Sequence, residues 1–243
     1  MTKVLMIASG KGGTGKSTVA SFLSDALASL GRKVLLVELD AGLRSIDVIS
    51  GVSRDAVYDL GDVLSGRCKA EKAMIHKESQ PLVSIIPAPY SSDFLDFTGF
   101  ENFINSAYGD FDYIVIDTSA GLGPAFKAAV KVAKIGIAVL TPDLICVRDA
   151  RVITDAMYDR GIRDIRLVIN KFSRDLFRHT GFADLDEVID DACGQLLGLI
   201  PMSNEIAIAS QKGTGLSQAS REATIFRAIA SRLEGNEIQI IIQ

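Results

Sequence analysis

The sequence predicts an α/β fold, a single three-layer domain with a mostly parallel central sheet. Three observations carry that reading. Short β-branched apolar runs recur along the 243 residues, amphipathic stretches of helical length lie between them, and a glycine-rich loop joins the first run to the first amphipathic stretch. Such alternation gives the βαβ rhythm of an open parallel sheet with right-handed crossovers. At 48% hydrophobic and 23% charged residues the chain can bury a sizeable core, and its length suits one large domain.

In chain order, residues 3 to 8 contain Val4-Leu5-Met6-Ile7, consecutive apolar residues of the kind a strand covered on both faces needs. An amphipathic helix over 17 to 30 follows the glycine-rich loop, and a second buried strand occupies 33 to 38. The next strand covers 82 to 87. A helix over 97 to 108 leads to the strand 112 to 117, and a helix over 124 to 133 leads to the strand 135 to 140. A helix over 147 to 159, a strand over 165 to 170 and a last helix over 217 to 234 complete the series. Residues 172 to 194 are the least regular and read as an excursion from one domain. With no internal repeat, low-complexity tract or Pro/Ser-rich linker, residues 1–236 are expected to form one domain and 237–243 a short apolar tail.

A net charge of −4 gives no general attraction to nucleic acid or anionic lipid, so either contact needs a local patch. Cys68, Cys146 and Cys193 are odd in number and widely spaced, and with only His76 and His179 beside them they make neither a disulfide framework nor a metal cluster. They read as buried small hydrophobes. The chain enters its first strand with no charged leader, cleavage site or bilayer-length apolar run, which predicts a cytoplasmic protein.

Gly10-Lys11-Gly12-Gly13-Thr14-Gly15-Lys16-Ser17 fits the phosphate-loop pattern between a strand and a helix. Glycines let the backbone fold round a β-phosphate with successive N–H groups aimed at its oxygens, and the helix beginning near Ser17 and Thr18 presents its positive end to the same charge. In that role Gly12, Gly13, Thr14 and Gly15 cradle the phosphates of ATP, Lys16 bridges the β- and γ-phosphates, and Ser17 ligates Mg²⁺. A plain glycine turn is the bland alternative.

The second strand ends in Glu38-Leu39-Asp40, followed by Gly42-Leu43-Arg44 and Asp47. Ligands lie at the carboxyl ends of strands in such sheets, so Asp40 is placed to orient a water for attack on the γ-phosphate and to reach Mg²⁺ through water. Its alternative is a turn aspartate before Gly42. Tyr113-Ile114-Val115-Ile116-Asp117 is an apolar strand ending in a carboxylate, the form that contacts Mg²⁺ through water. Gly121, in the following Thr118-Ser119-Ala120-Gly121-Leu122-Gly123, lets a backbone N–H approach the γ-phosphate. Asn170-Lys171 ends a strand as a guanine reader would, but Ser173 supplies no bidentate acceptor for guanine, so Asn170 pairs with adenine or is a strand-end turn residue.

Taken with Lys11, the segment GKGGTGKST resembles the deviant Walker A box of the MinD/ParA family of SIMIBI-class P-loop ATPases. The resemblance covers roughly residues 2 to 220. It implies a P-loop NTPase fold, and it implies that Lys11 reaches across an ATP-bound homodimer to the partner's nucleotide. Asp40-Ala41-Gly42-Leu43-Arg44-Ser45-Ile46-Asp47 resembles the first switch of the MinD branch, and the likeness continues through Val57-Tyr58-Asp59-Leu60 and Asp62-Val63-Leu64. The branch has aspartate where this chain has Glu38, and the family has proline or a small residue around Ser119. By the same resemblance Asn170 contacts adenine, with the backbone near Pro201 and Met202 closing the other side. Val147-Arg148-Asp149 resembles the helix that protein partners contact.

The implied function is an ATP-dependent dimerising switch that hydrolyses ATP to ADP and phosphate and positions division machinery, with MinE-like activating and MinC-like effector partners. A flagellar-number regulator and a ParA-type DNA partition ATPase are the alternatives, and a metabolic ligase or kinase is a third class. DNA binding needs a basic stripe, and the densest set, Arg151, Arg160, Arg163, Arg166, Lys171, Arg174 and Arg178, is interrupted by acidic residues. The MinD branch usually carries a membrane-binding basic helix near its C-terminus, and none is expected in residues 1–243. Gly235-Asn236 reads as a left-handed cap, and the tail Glu237-Ile238-Gln239-Ile240-Ile241-Ile242-Gln243 has no Lys or Arg, favouring a packed tail or edge strand. Membrane contact through the tail alone is expected to be weak, with any attachment at the inner face of the membrane made through a partner.

Overall fold

The computed structural model describes residues 2–91, 93 and 95–240. Its strands are β1 (Lys3–Ala8), β2 (Val34–Glu38), β3 (Ile75–His76), β4 (Val83–Ile86), β5 (Tyr113–Asp117), β6 (Ile135–Leu140), β7 (Asp164–Phe172) and β8 (Gln195–Pro201). Its helices are α1 (Lys16–Ser29), α2 (Ile46–Ile49), α3 (Leu60–Leu64), α4 (Ala70–Ala73), α5 (Phe100–Ser106), α6 (Pro124–Val132), α7 (Leu144–Asp159), α8 (Arg174–Phe177), α9 (Leu185–Ala192), α10 (Asn204–Lys212) and α11 (Arg221–Leu233).

The strands form one sheet in the order β3-β4-β2-β5-β1-β6-β7-β8. Only the β3–β4 pair is antiparallel among the described pairings. Strand period divides the core into two layers. Val4, Met6 and Ala8 of β1 pack with Phe103, Phe126, Val147 and Val188 from α5, α6, α7 and α9. Leu5 and Ile7 pack on the other side with Phe22, Leu27, Phe226 and Ile229 from α1 and α11. There Phe22 and Phe226 meet edge to face, 5.5 Å between ring centres. Each such fully buried side chain contributes about 1.5–3 kcal/mol. The predicted three-layer α/β architecture is therefore observed.

β1 lies between β5 and β6, so the order of winding reverses at its carboxyl end. That is the crevice where an open α/β sheet receives a ligand.

The six expected strands are present with ends shifted by two residues or fewer. β8 was not anticipated, because Gly198 interrupts its apolar run. The structure gives the reason for that glycine: a Cβ there would lie 2.4 Å from Ile229, so α11 packs directly on the strand backbone. Residues 172 to 194, read as irregular, contain α8 and α9. Ser173 and Asp184 cap them by accepting from Leu176 N (3.5 Å) and Glu187 N (3.0 Å). Similarly α7 starts at Leu144 rather than 147, because Asp143 accepts from Cys146 N at 3.0 Å. The cysteine expectation also needs correction. Cys146 is buried, Cys68 half-buried, and Cys193 exposed in the left-handed residue that ends α9.

The predicted cap at Gly235 is a Schellman turn, with φ 93° at Gly235, Asn236 N donating to Ser231 O at 3.2 Å and Gly235 N to Arg232 O at 3.0 Å. Beyond it the Arg232 guanidinium donates to Leu197 O of β8 and to the carbonyls of Ile238 and Gln239. Ile240 packs against the core. The described part of the tail is packed and unpaired with any strand, and residues 241–243 lie outside the described residues.

Candidate functional site

The loop after β1 is built to present amides. Gly13 and Gly15 hold φ of 83° and 88°, a conformation that costs a side-chain-bearing residue but not glycine. Gly15 ends the loop as the cap of α1 and offers no side chain to the helix's first N–H groups, and the first turn carries no acidic residue. The positive end of a 14-residue helix is thereby left to an anion. Gly10 is needed for packing, since a Cβ there would sit 2.6 Å from the Asp149 backbone on α7.

Three strand ends converge on this loop. Lys16 Nζ donates to Asp117 Oδ1 at 2.9 Å and lies 3.4 Å from Ser17 Oγ, and the Lys16 and Asp117 side chains are 7% and 0% exposed. Thr14 Oγ1 and Asp117 Oδ2 are buried with no hydrogen-bond partner. Each is a group whose burial is costly until it gains a partner. Asp40 is half-buried just beyond β2; burial raises its carboxyl pKa, Lys16 works against the rise, and Asp117 adds to it.

The first switch is held by a residue that sequence reasoning left without a role. Glu38 is wholly buried and registers beside Asp117 across β2 and β5. Its Oε1 accepts from Ser45 N (2.6 Å), Ile46 N (3.1 Å) and Ser45 Oγ (3.3 Å), and its Oε2 accepts from Ala88 N (3.3 Å). It thus caps α2 from a distance and ties the switch loop to the chain leaving β4. Burial, with Asp117 beside it, pushes the Glu38 carboxyl up to about 7 against the pull of those backbone donors. The longer carboxylate is used as a clasp. In the same loop Arg44 and Asp47 form a buried pair at 2.8 Å, and the guanidinium lies 4.1 Å from the Tyr90 ring centre.

In the second switch, Thr118 donates through both N and Oγ1 to Ile7 O, and Gly121 N donates to Ser9 O at 2.8 Å. Gly121 was expected to offer that N–H to a γ-phosphate; here the phosphate loop's own carbonyl holds it, so meeting a phosphate requires the loop to move.

Lys11 is exposed while its neighbour Lys16 is buried. Burial pushes the Asp143 carboxyl up, but bonds from Thr141 and Cys146, helped by the charge of Lys11, hold it below the usual range. On the far side Asn170, 6% exposed, donates through Nδ2 to Thr14 O at 2.7 Å, and Phe172 registers with Pro201. Pro201 and the exposed Met202 therefore border the strand end that carries Asn170. Ser173, which was expected to supply no bidentate acceptor for guanine, serves as the cap of α8. The basic stripe is divided by carboxylates and carbonyls: Arg151 pairs with Asp155, Arg166 with Asp164 and Arg178 with Asp175, while Arg160 and Arg163 donate to carbonyls of α7.

The donor set suits Mg²⁺. Among the described residues no group of three or more His, Cys, Asp or Glu side chains is arranged to hold a metal. Magnesium needs less, one or two oxygen ligands with waters and phosphates completing an octahedron, and the unpartnered Asp117 Oδ2 near Ser17 supplies that chemistry.

A family model described as the CobQ/CobB/MinD/ParA nucleotide binding domain matches residues 5–216. The chain is 35% identical to the septum site-determining protein MinD of Bacillus subtilis over 246 residues, spanning 99% of this chain and 92% of that one. The fold is similar to a chain of the MinC:MinD cell division protein complex of Aquifex aeolicus, with TM-score 0.90, 28% identity and 99% of each chain covered. It is also similar to septum site-determining protein MinD complexed with Mg-ADP from Pyrococcus horikoshii, with TM-score 0.87, 29% identity and 96% of each chain covered.

Proposed function

The chain belongs to the CobQ/CobB/MinD/ParA nucleotide-binding domain family, and we propose that it acts there as a MinD-like switch ATPase. In this reading it binds ATP with Mg²⁺, pairs with a second copy of itself while ATP is bound, and hydrolyses ATP to ADP and phosphate to control placement of the division machinery. The observation that carries it is the division of labour between two lysines on one loop: Lys16 buried against the Asp117 carboxylate, Lys11 exposed and free to reach outward.

The positions of Lys16, Asp117 and Lys11 support the following steps. Phosphates entering the loop take Lys16 from Asp117, exchanging one charge-assisted bond for another. Asp117, through water, and Ser17 would then hold Mg²⁺. Bound there, the metal would supply neutralisation of phosphate charge. Asp40, whose carboxyl sits near Lys16 and Asp117, orients the attacking water. Two nucleotides facing each other in a dimer repel, and Lys11 from each copy offsets that repulsion by crossing to the partner's phosphates. Asn170 reads adenine, flanked by Pro201 and Met202. Loss of the γ-phosphate lets Gly121 return to Ser9 O, and the dimer is released.

Activation and effector contact are assigned to protein partners of the MinE and MinC kind. A complex of MinD with MinC is known for the Aquifex relative, and here the exposed Leu144, Ile145, Arg148 and Val152 on α7 are available for such contact. We place the protein in the cytoplasm, with membrane attachment through a partner; among the described residues no helix is long and apolar enough to cross a membrane. The paired arginines argue against the DNA-partition alternative. Phosphate release by the purified protein tests the reading: slow Mg²⁺-dependent turnover of ATP and far weaker turnover of GTP are expected. Equal turnover of both nucleotides would remove Asn170 as the base reader, and none with either would remove the ATPase.

A further inference from the structure

Successive residues of a strand point to opposite faces, yet the side chains of Asn170 and Lys171, adjacent at the end of β7, both reach the phosphate loop. Asn170 Nδ2 donates to Thr14 O at 2.7 Å, and Lys171 Nζ donates to Gly13 O at 2.7 Å. The backbone shows how this is done. Lys171 adopts φ 55°, a left-handed conformation that a lysine enters only with backbone strain, and the β7–β8 register breaks between Ile169 and Phe172. That irregularity turns Lys171 onto the side its neighbour already faces. The fit is close on the loop side too, since a Cβ on Gly15 would lie 2.3 Å from Asn170 Nδ2.

We propose that Lys171 is a positioning residue for the phosphate loop. In a trans peptide the C=O and the following N–H point in opposite directions. Holding the Gly13 and Thr14 carbonyls toward β7 therefore sets the N–H groups of Thr14 and Gly15 on the other side, where the loop curves round its ligand. Donors fixed before the ligand arrives cost no ordering on binding. Asn170 is buried and bonded to the loop whether or not it reads a base, so the strained, exposed Lys171 is the separable half of the brace. The inference deepens the proposed function and rests on its premise that this loop holds nucleotide phosphates.

The experiment measures ADP and ATP affinity by calorimetry for the wild-type protein, Lys171→Met and Lys171→Arg, the last keeping a charged donor on a long stem. Amide hydrogen exchange is followed at Thr14 and Gly15 in the nucleotide-free proteins. Losing one charge-assisted bond to the loop predicts about a tenfold weaker affinity in Lys171→Met. The loss is expected to be equal for ADP and ATP, with faster exchange at Thr14 and Gly15, unchanged exchange in the interior of α1, and recovery of most of the affinity in Lys171→Arg. Wild-type affinity and exchange in Lys171→Met would overturn the proposal. So would a loss confined to ATP, which would mean direct contact with the γ-phosphate. A wild-type protein that binds neither nucleotide would instead overturn the nucleotide reading on which the proposal rests.

Discussion

Replacing Glu38 with Gln removes a proton-binding group that the fold holds at about 7, against 4.5 for the same carboxyl in an open chain. Because the folded value is raised, the native state keeps a proton across this interval that the unfolded state has released. The contribution of Glu38 to stability is therefore fully present below about 4.5 and is lost as pH rises through about 7. The interval from 4.5 to about 7, at about 1.4 kcal/mol per pH unit, amounts to about 3 kcal/mol, and the side chain is wholly buried, so solvent does not screen it. Gln has nearly the same shape and does not titrate. Its Oε1 can still accept from Ser45 and Ile46, but its Nε2 faces the Ala88 N–H, a donor against a donor that costs about 1–3 kcal/mol at every pH. The variant is thus expected to be less stable than wild type at pH 5, with a gap that shifts in its favour by about 3 kcal/mol by pH 8. Asp25 and Asp40, also raised by burial, are common to both proteins and cancel. Urea unfolding without nucleotide, repeated from pH 5 to pH 8 and extrapolated linearly, reads the two curves. Parallel curves would refute the reasoning and show that the clasp is ionised throughout.

Lys16→Ala is expected to abolish nucleotide binding, because the phosphates lose their charge-assisted contact, and to destabilise the protein by leaving Asp117 buried alone; calorimetry beside a thermal melt checks both, and undiminished ATP affinity would remove the phosphate-loop assignment. Asp40→Ala is expected to bind ATP but hydrolyse it far more slowly, so wild-type single-turnover kinetics would reassign Asp40 to the turn before Gly42. Residues 237–243 are expected to contribute little to sedimentation with anionic liposomes in the presence of ATP, since they carry no basic residue and Arg232 already holds the carbonyls of Ile238 and Gln239. Strong ATP-dependent sedimentation that disappears on deleting 237–243 would make the tail an anchor.

What was legible in the sequence was local. Consecutive apolar residues marked six strands, and the glycine pattern placed the phosphate loop between a strand and a helix, because backbone needs at such points restrict residue type. Long-range fitting hid the rest. Gly198 reads as a strand breaker until Ile229 is seen packed on it, and Asp143, Ser173 and Asp184 signal helix starts only once the helices are known to begin there. At the site, Asp117 and Lys16 were readable one by one, but their 2.9 Å pairing depends on β1 and β5 lying side by side. The clasp formed by Glu38 was flagged only as a departure from the family pattern, since its four donors come from residues 45, 46 and 88. Nothing in the string announces that Lys171 leaves the β region.

The claim that the nucleotide controls self-association is tested most directly by size-exclusion chromatography with light scattering on the Asp40→Ala protein, which should hold ATP unhydrolysed. The mass of a dimer is expected with Mg-ATP, that of a monomer with Mg-ADP, and a monomer with either nucleotide once Lys11→Ala is added. The same mass with both nucleotides, or a dimer that survives the loss of Lys11, would contradict it.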